Sequence, residues 1–283
     1  MNRDLGYCVF TFEGGDWSND NFEGLDRGFA AAKELGYSYV EVPSYVYSSG
    51  PLRSDFQFLH RAGRILALSE RHQMPLSAIF AASDLLDESK REEEADHLVV
   101  LARLASTLGI EIVPVTLSML RQSAGAAEAR LLGELLSDVG RKTLASGVRI
   151  AAHPHIDCPL ETPDQIAAFC DASDPDAVWL CLDTGHVLAG GGDPAQLARE
   201  YAERIAYVHL KDLDASAYWA AEGRAKYEAF RDPGDGDVDF PAVLDALADH
   251  GYSGPILAEN DLSPDPRGSM ERAYSFLRNE LRL

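Results

Sequence analysis

Apolar and polar positions along this chain follow two rhythms that alternate from end to end. Short β-rich apolar runs occupy 5–10, 39–42, 76–80, 110–115, 148–152, 178–182, 205–210 and 255–258. Longer segments with helical spacing lie between them at 22–35, 56–72, 90–108, 128–145 and 194–201, and a last one at 269–281 closes the pattern. Their borders carry the expected punctuation. Leu35-Gly36, Leu108-Gly109 and Ser146-Gly147 read as glycine stops, while Thr162-Pro163 and Asp193-Pro194 read as an N-cap followed by proline at the first helical position. Eight strand-like runs, each followed by a helix-like segment, predict a single (β/α)8 TIM barrel spanning 1–283 as one domain. A doubly wound open sheet is the alternative, but eight strands without a break favour closure. One connection, 211–239, is long and contains Tyr218-Trp219 and the turn-rich Asp232-Pro233-Gly234-Asp235-Gly236-Asp237. It reads as a lid or substrate loop.

Composition narrows the function classes. Hydrophobic residues make up 46% of 283, enough for a sizeable core. No stretch approaches the ~18 uncharged apolar residues a membrane span needs, and the opening Met1-Asn2-Arg3-Asp4 lacks the basic-then-apolar design of a signal peptide. Cys8, Cys158, Cys170 and Cys181 form no CxxC pair, so the expectation is a cytoplasmic protein without disulfides. The net charge of −21 argues against a nucleic-acid partner, whose phosphates require Lys and Arg. No membrane partner is expected either, and homo-oligomerisation stays open.

Four strand-like runs end in metal-ligand residue types: His153, Asp183, His209 and Glu259. Singly, a lone Asp before Thr-Gly is ordinarily a turn residue or helix cap, and a lone His a satisfied polar group. Four at equivalent ends of parallel strands, one or two repeats apart, point instead at one spot. Burying several ionisable groups around one cavity is costly unless a metal or each other compensates. Oxygen and imidazole donors without thiolate suit one divalent ion, Mn²⁺ first, with Zn²⁺, Co²⁺, Fe²⁺ and Mg²⁺ as alternatives. His153 and His155 are two apart on an extended segment and point the same way, so either could be the fourth ligand. Glu41, His155, His186, Lys211 and Trp219 are candidates for substrate contact. Asp157 and Glu161 could instead cap the helix near Pro163, and Lys211 could simply pair with Asp212.

The segments Leu182-Asp183-Thr184-Gly185-His186, Val208-His209-Leu210-Lys211-Asp212 and Ile256-Leu257-Ala258-Glu259, together with 233–240, resemble the xylose-isomerase-like barrel superfamily. That superfamily includes ketose 3-epimerases, inosose isomerases, inosose dehydratases and endonuclease IV. The resemblance is strong over 147–265 and topological before it. Ala152-His153-Pro154-His155, 183–191 and 204–212 are most similar to inosose dehydratases. By that resemblance Asp183, His209 and Glu259 take three of four metal positions, and His153 falls where many relatives carry glutamate. Endonuclease IV would need further histidines on the third and fourth strands and after the seventh, where this chain has Ile79-Phe80-Ala81, Pro114-Val115-Thr116 and no histidine in 210–249.

The resemblance implies a metal-dependent lyase that enolises a keto-sugar or keto-cyclitol and expels a β-leaving group, either as an inosose dehydratase does or by elimination from a 3-keto-glycoside. Glu259, His153, His155 and Lys211 would carry the chemistry, with a histidine of the fifth strand titrating near neutrality. The alternatives are an epimerase or isomerase working through an enediolate, and a degenerate barrel serving as a binding subunit.

Overall fold

In the computed structural model, which describes residues 3–13, 22–44, 55–119 and 125–283, the apolar runs become the staves of one closed ring. They are β1 (Gly6–Cys8), β2 (Tyr39–Pro43), β3 (Leu76–Ser83), β4 (Ile112–Leu117), β5 (Arg149–Ala152), β6 (Val178–Asp183), β7 (Ile205–Leu210) and β10 (Ile256–Ala258). Hydrogen-bonded neighbours follow the order β1-β10-β7-β6-β5-β4-β3-β2, all parallel, and β1 pairs with β2 to shut the barrel. The open sheet is thereby excluded. Outside lie α1 (Phe22–Leu35), α2 (Asp55–His72), α3 (Arg91–Thr107), α4 (Ala126–Leu144), α5 (Pro163–Ala172), α6 (Thr184–Ala189) and α7 (Pro194–Glu200), with α9 (Phe240–Asp249) and α10 (Pro266–Ser275) completing the ring.

The punctuation does what its chemistry predicts. Gly109 (φ 75°) and Gly147 (φ 76°) adopt the left-handed conformation that ends α3 and α4. Thr162 accepts the Gln165 N–H in a reciprocal capping box, and Asp193 accepts from Ala195 and Gln196. The last helix starts three residues earlier than its spacing suggests, because Asp265 caps it and Pro266 takes its first position. The first run is shorter than expected, since the chain turns into a 3-10 helix at Val9–Glu13.

Side chains alternate along each strand, which builds the barrel interior in layers. Ala78, Ile112, Ala151, Cys181, Tyr207 and Leu257 form an apolar plug, with Tyr39 and Trp179 packed against it and Tyr207 Oη 2.6 Å from Ser77 Oγ. Two residues further on, at the carboxyl ends, the same columns continue as Glu41, Phe80, His153, Asp183, His209 and Glu259. The plug seals the floor, so the polar layer faces the C-terminal mouth.

The long connection after β7 is folded. β8 (Asp212–Leu213) pairs antiparallel with β9 (Phe230–Arg231), and α8 (Ala215–Ala220) lies between them. The buried Asp212 carboxylate accepts backbone N–H groups of Leu213, Gly234, Gly236 and Val238 at 2.9–3.0 Å. Gly236 is required there, because a Cβ would lie 2.5 Å from Asp212 Oδ1. All four cysteines are free and buried. Among the described residues no helix is long and apolar enough to cross a membrane.

Candidate metal centre

Register brings the donors together. Asp183 and His209 are direct partners across β6 and β7, and His209 is also opposite Leu257, two residues before Glu259. His153 follows β5, its N–H bonded to Val115 O at 2.8 Å. One donor atom from each of His153, Asp183, His209 and Glu259 lies within 4.8 Å of the others, and all four residues are buried. His209 Nδ1 is 2.8 Å from Glu259 Oε2, 3.3 Å from His153 Nε2 and 3.8 Å from Asp183 Oδ2, and His153 Nε2 is 3.3 Å from Asp183 Oδ2.

These separations fit a metal. Tetrahedral bonds of about 2.1 Å put neighbouring donor atoms about 3.4 Å apart, inside the spread observed. Glu259 Oε2 and Glu41 Oε1 are buried and face the His209 ring at 2.8 and 3.1 Å without hydrogen-bond geometry, so a cation would complete the coordination of Glu259 Oε2. The outward nitrogens are held as ligand tautomers require. His209 Nε2 donates to Glu41 Oε2 at 3.2 Å, and His153 Nδ1 pairs with Thr116 Oγ1 at 3.3 Å, leaving Nδ1 and Nε2 respectively toward the centre. Asp183 does two jobs. Its Oδ1 accepts the His186 N–H at 2.8 Å as the N-cap of α6, and its Oδ2 faces the cluster.

Lys211 joins the same cluster. Its Nζ lies 2.9 Å from Glu259 Oε1, 2.8 Å from Asp261 Oδ2, 3.5 Å from Asp183 Oδ2 and 3.2 Å from His186 Nε2. Burial opposes the ammonium, but Asp261, Glu259 and Asp183 outweigh it and hold its pKa well above the ordinary lysine value. Burial likewise opposes the Glu259 carboxylate, which His209 and Lys211 keep well below the usual range. His155 and His186 stack with ring centroids 3.8 Å apart, and His155 Nδ1–H donates to Ile156 O at 2.6 Å. Phe230 of β9 closes on His186 at 4.7 Å.

Several expectations change. Glu41, expected to touch substrate, does line the cavity, and its buried carboxylate also engages His209 and orients that ring. Trp219 is 61% exposed, because α8 turns its neighbour Tyr218 inward instead; it does not line the cavity. Lys211 turns away from Asp212, which the loop backbone occupies. The cap of α5 is Thr162, while Glu161 accepts the Asp157 N–H and Asp157 accepts the Tyr227 hydroxyl. Both imidazoles that follow the fifth strand are shifted down from the ordinary histidine value. Burial, ahead of the His153 and Lys211 charges, lowers His155 to about 3, and burial lowers His153 as well. Burial opposes charge on His209 too, but Cys181, Glu259 and Glu41 hold it well above the ordinary value.

Asp261, overlooked in the sequence, lines the cavity and is pushed up to about 7 by burial, which the Lys211 charge opposes and the neighbouring Glu259 reinforces. Period-2 spacing could have found it, since Leu257, Glu259 and Asp261 share one face of the extended chain.

Comparison with known proteins follows the same lines. A family model described as "Xylose isomerase-like TIM barrel" matches residues 29–280. A curated inosose dehydratase of Clostridium tetani is 32% identical over 149 residues, 50% of this chain and 50% of that protein, so the match spans about half the length of that relative. The inosose dehydratase of Salmonella typhimurium is 29% identical over 251 residues, covering 85% of this chain and 75% of its own. A crystal structure of the IOLI protein with a binding zinc atom superposes with a TM-score of 0.71 at 21% identity, covering 96% of this chain and 94% of that one.

Proposed function

We propose that this chain, which belongs to the xylose isomerase-like TIM barrel family, is a divalent-metal-dependent enzyme that enolises a keto-cyclitol or keto-sugar and eliminates a β-leaving group. One observation carries the reading: four mutually adjacent metal donors and a buried ammonium share the mouth of one barrel. The inosose dehydratase name of its curated relatives supports a keto-cyclitol losing water. Manganese is our first choice of ion, with zinc next because of the zinc-bearing structural neighbour.

His153, Asp183, His209 and Glu259 would hold the ion, which when bound supplies Lewis-acid stabilisation of the negative charge that develops on the substrate oxygens. The remaining work belongs to side chains. Lys211, braced by Glu259 and Asp261, offers a fixed cation to the same developing charge without needing to reorganise. With Nδ1–H spent on the Ile156 carbonyl and burial keeping the ring neutral, His155 presents an unprotonated Nε2 as the acceptor of the proton α to the carbonyl. The negative charge developing on the substrate beside it would make that nitrogen more basic than it is without substrate. Asp261, in contact with Lys211 at the cavity wall, is the carboxyl that accompanies the departing oxygen. His186, stacked on His155 and touched by Lys211 and Phe230, orients the substrate hydroxyls. Glu41 and Thr116 set the two ligand imidazoles.

The test is incubation of metal-loaded protein with a panel of keto-inositols and keto-sugars in D₂O, followed by mass spectrometry and NMR. A dehydrated product, or a released aglycone from a 3-keto-glycoside, is expected only in the presence of the ion. A stereoisomer carrying solvent deuterium, with no eliminated product, would make the protein an epimerase instead.

A further inference from the structure

Cys181 precedes Asp183 by two residues on β6 and sits in the apolar plug with no solvent exposure. Its Sγ is 3.8 Å from His209 Nδ1, the nitrogen that also faces Glu259 and Asp183. His153, Cys181 and His209 each offer a donor atom within 4.8 Å of the others. The two imidazoles therefore belong to two donor sets, one completed by carboxylates above and one by a thiol below. Glu259 Oε2, 2.8 Å from the same His209 Nδ1, belongs to the upper set, whereas the lower set of His153, Cys181 and His209 is closed by buried side chains alone.

We propose that the centre has two overlapping seats, and that a thiophilic ion takes the lower one on His153, His209 and the Cys181 thiolate. The inference rests on the reading that these imidazoles bind a metal. Two of its three donor separations already suit it. Zinc-like bonds of about 2.3 Å to sulfur and about 2.05 Å to nitrogen place sulfur and nitrogen about 3.6 Å apart and two nitrogens about 3.3 Å apart. Here Cys181 Sγ–His209 Nδ1 is 3.8 Å and His209 Nδ1–His153 Nε2 is 3.3 Å, while Cys181 Sγ lies within 4.8 Å of the His153 donor atom and would close on it when the ion binds. On binding, the S–H bond breaks, its proton leaves to solvent and the S–metal bond forms, with no change of oxidation state. Hard ions such as Mn²⁺ and Mg²⁺ favour the carboxylate seat and leave the thiol protonated, whereas Cd²⁺ and Zn²⁺ favour sulfur. Position 181 then sorts ions by softness within one cavity.

The experiment uses metal-stripped full-length protein, wild type and Cys181→Ser and Cys181→Ala, titrated separately with Cd²⁺ and Mn²⁺. Wild type should develop the ultraviolet thiolate-to-cadmium charge-transfer absorption in step with the first equivalent of Cd²⁺ and none with Mn²⁺. Both variants should lose that absorption although Cys8, Cys158 and Cys170 remain, with Cd²⁺ affinity down about tenfold or more. Their Mn²⁺ affinity, expected within about threefold of wild type, doubles as the check that they fold. X-ray absorption at the cadmium edge of the wild type needs no variant and should count one sulfur neighbour. A bound equivalent of Cd²⁺ without a sulfur neighbour, or a charge-transfer band that survives in Cys181→Ala, overturns the lower seat alone. Wild type that binds neither ion overturns the metal centre and this inference together.

Discussion

Replacing Lys211 by Met keeps the stem and removes the charge, and its consequence can be worked from the contacts. Lys211 is 1% exposed, with carboxylate oxygens of Asp261, Glu259 and Asp183 at 2.8, 2.9 and 3.5 Å. At an effective dielectric of about 20 each contact carries roughly 5–6 kcal/mol of gross attraction, most of which offsets desolvation. Stranding the buried partners should cost about 3–5 kcal/mol net. For 283 residues, an unfolding entropy of about 2.1 cal/mol/K per residue turns that into a Tm lower by about 5–8 °C. A divalent ion at the same carboxylates replaces the lost charge. Calorimetry in chelator and again in saturating Mn²⁺ should therefore show a wide gap between wild type and Lys211→Met that narrows with the ion, while turnover stays impaired in both. A variant within about 1 °C of wild type in chelator, or a gap that widens with Mn²⁺, would refute the electrostatic account of this cluster.

The remaining predictions divide the site by role. Alanine at His155 or His186 should cut turnover by about 10²-fold or more while metal content stays stoichiometric, whereas alanine at His153 should lose the metal, as element analysis and kinetics would show together. Glu41→Gln should weaken Mn²⁺ binding by about tenfold or more in a calorimetric titration, since it loosens the His209 ring without removing a ligand; unchanged affinity would leave Glu41 to the substrate wall alone. Trp219→Ala, at an exposed position, should leave KM within about twofold, and a larger rise would put that ring back over the substrate.

The strands were legible because each is an apolar run buried on both faces, and runs of that kind survive any detail of packing. His153, Asp183, His209 and Glu259 were legible for a related reason: an ionisable residue ending such a run has nowhere to go but the mouth. Asp261 was missed although it obeys the same period-2 rule, because its run had already turned polar at Asn260. Glu41 faces the cavity as its place at the end of β2 suggests, but its contact with His209 was not legible, since spacing reports which face a side chain takes and not which neighbour it meets across the barrel. Trp219 failed because α8 is only six residues long, too short for any periodicity to say which side faces in. The Asp212 clasp was invisible for want of any side-chain partner; its four bonds go to backbone N–H groups whose positions only the folded loop defines. Cys181 read as one of four cysteines without a CxxC partner, inside an apolar run, and its distance to His209 emerges only from the β6–β7 register.

Whether four side chains hold one ion is decided by a structure of Mn²⁺-loaded protein with anomalous scattering at the manganese edge. One peak is predicted, with His153 Nε2, Asp183 Oδ2, His209 Nδ1 and Glu259 Oε2 within about 2.0–2.3 Å of it. A peak elsewhere, or one more than about 3 Å from any of these atoms, would contradict it.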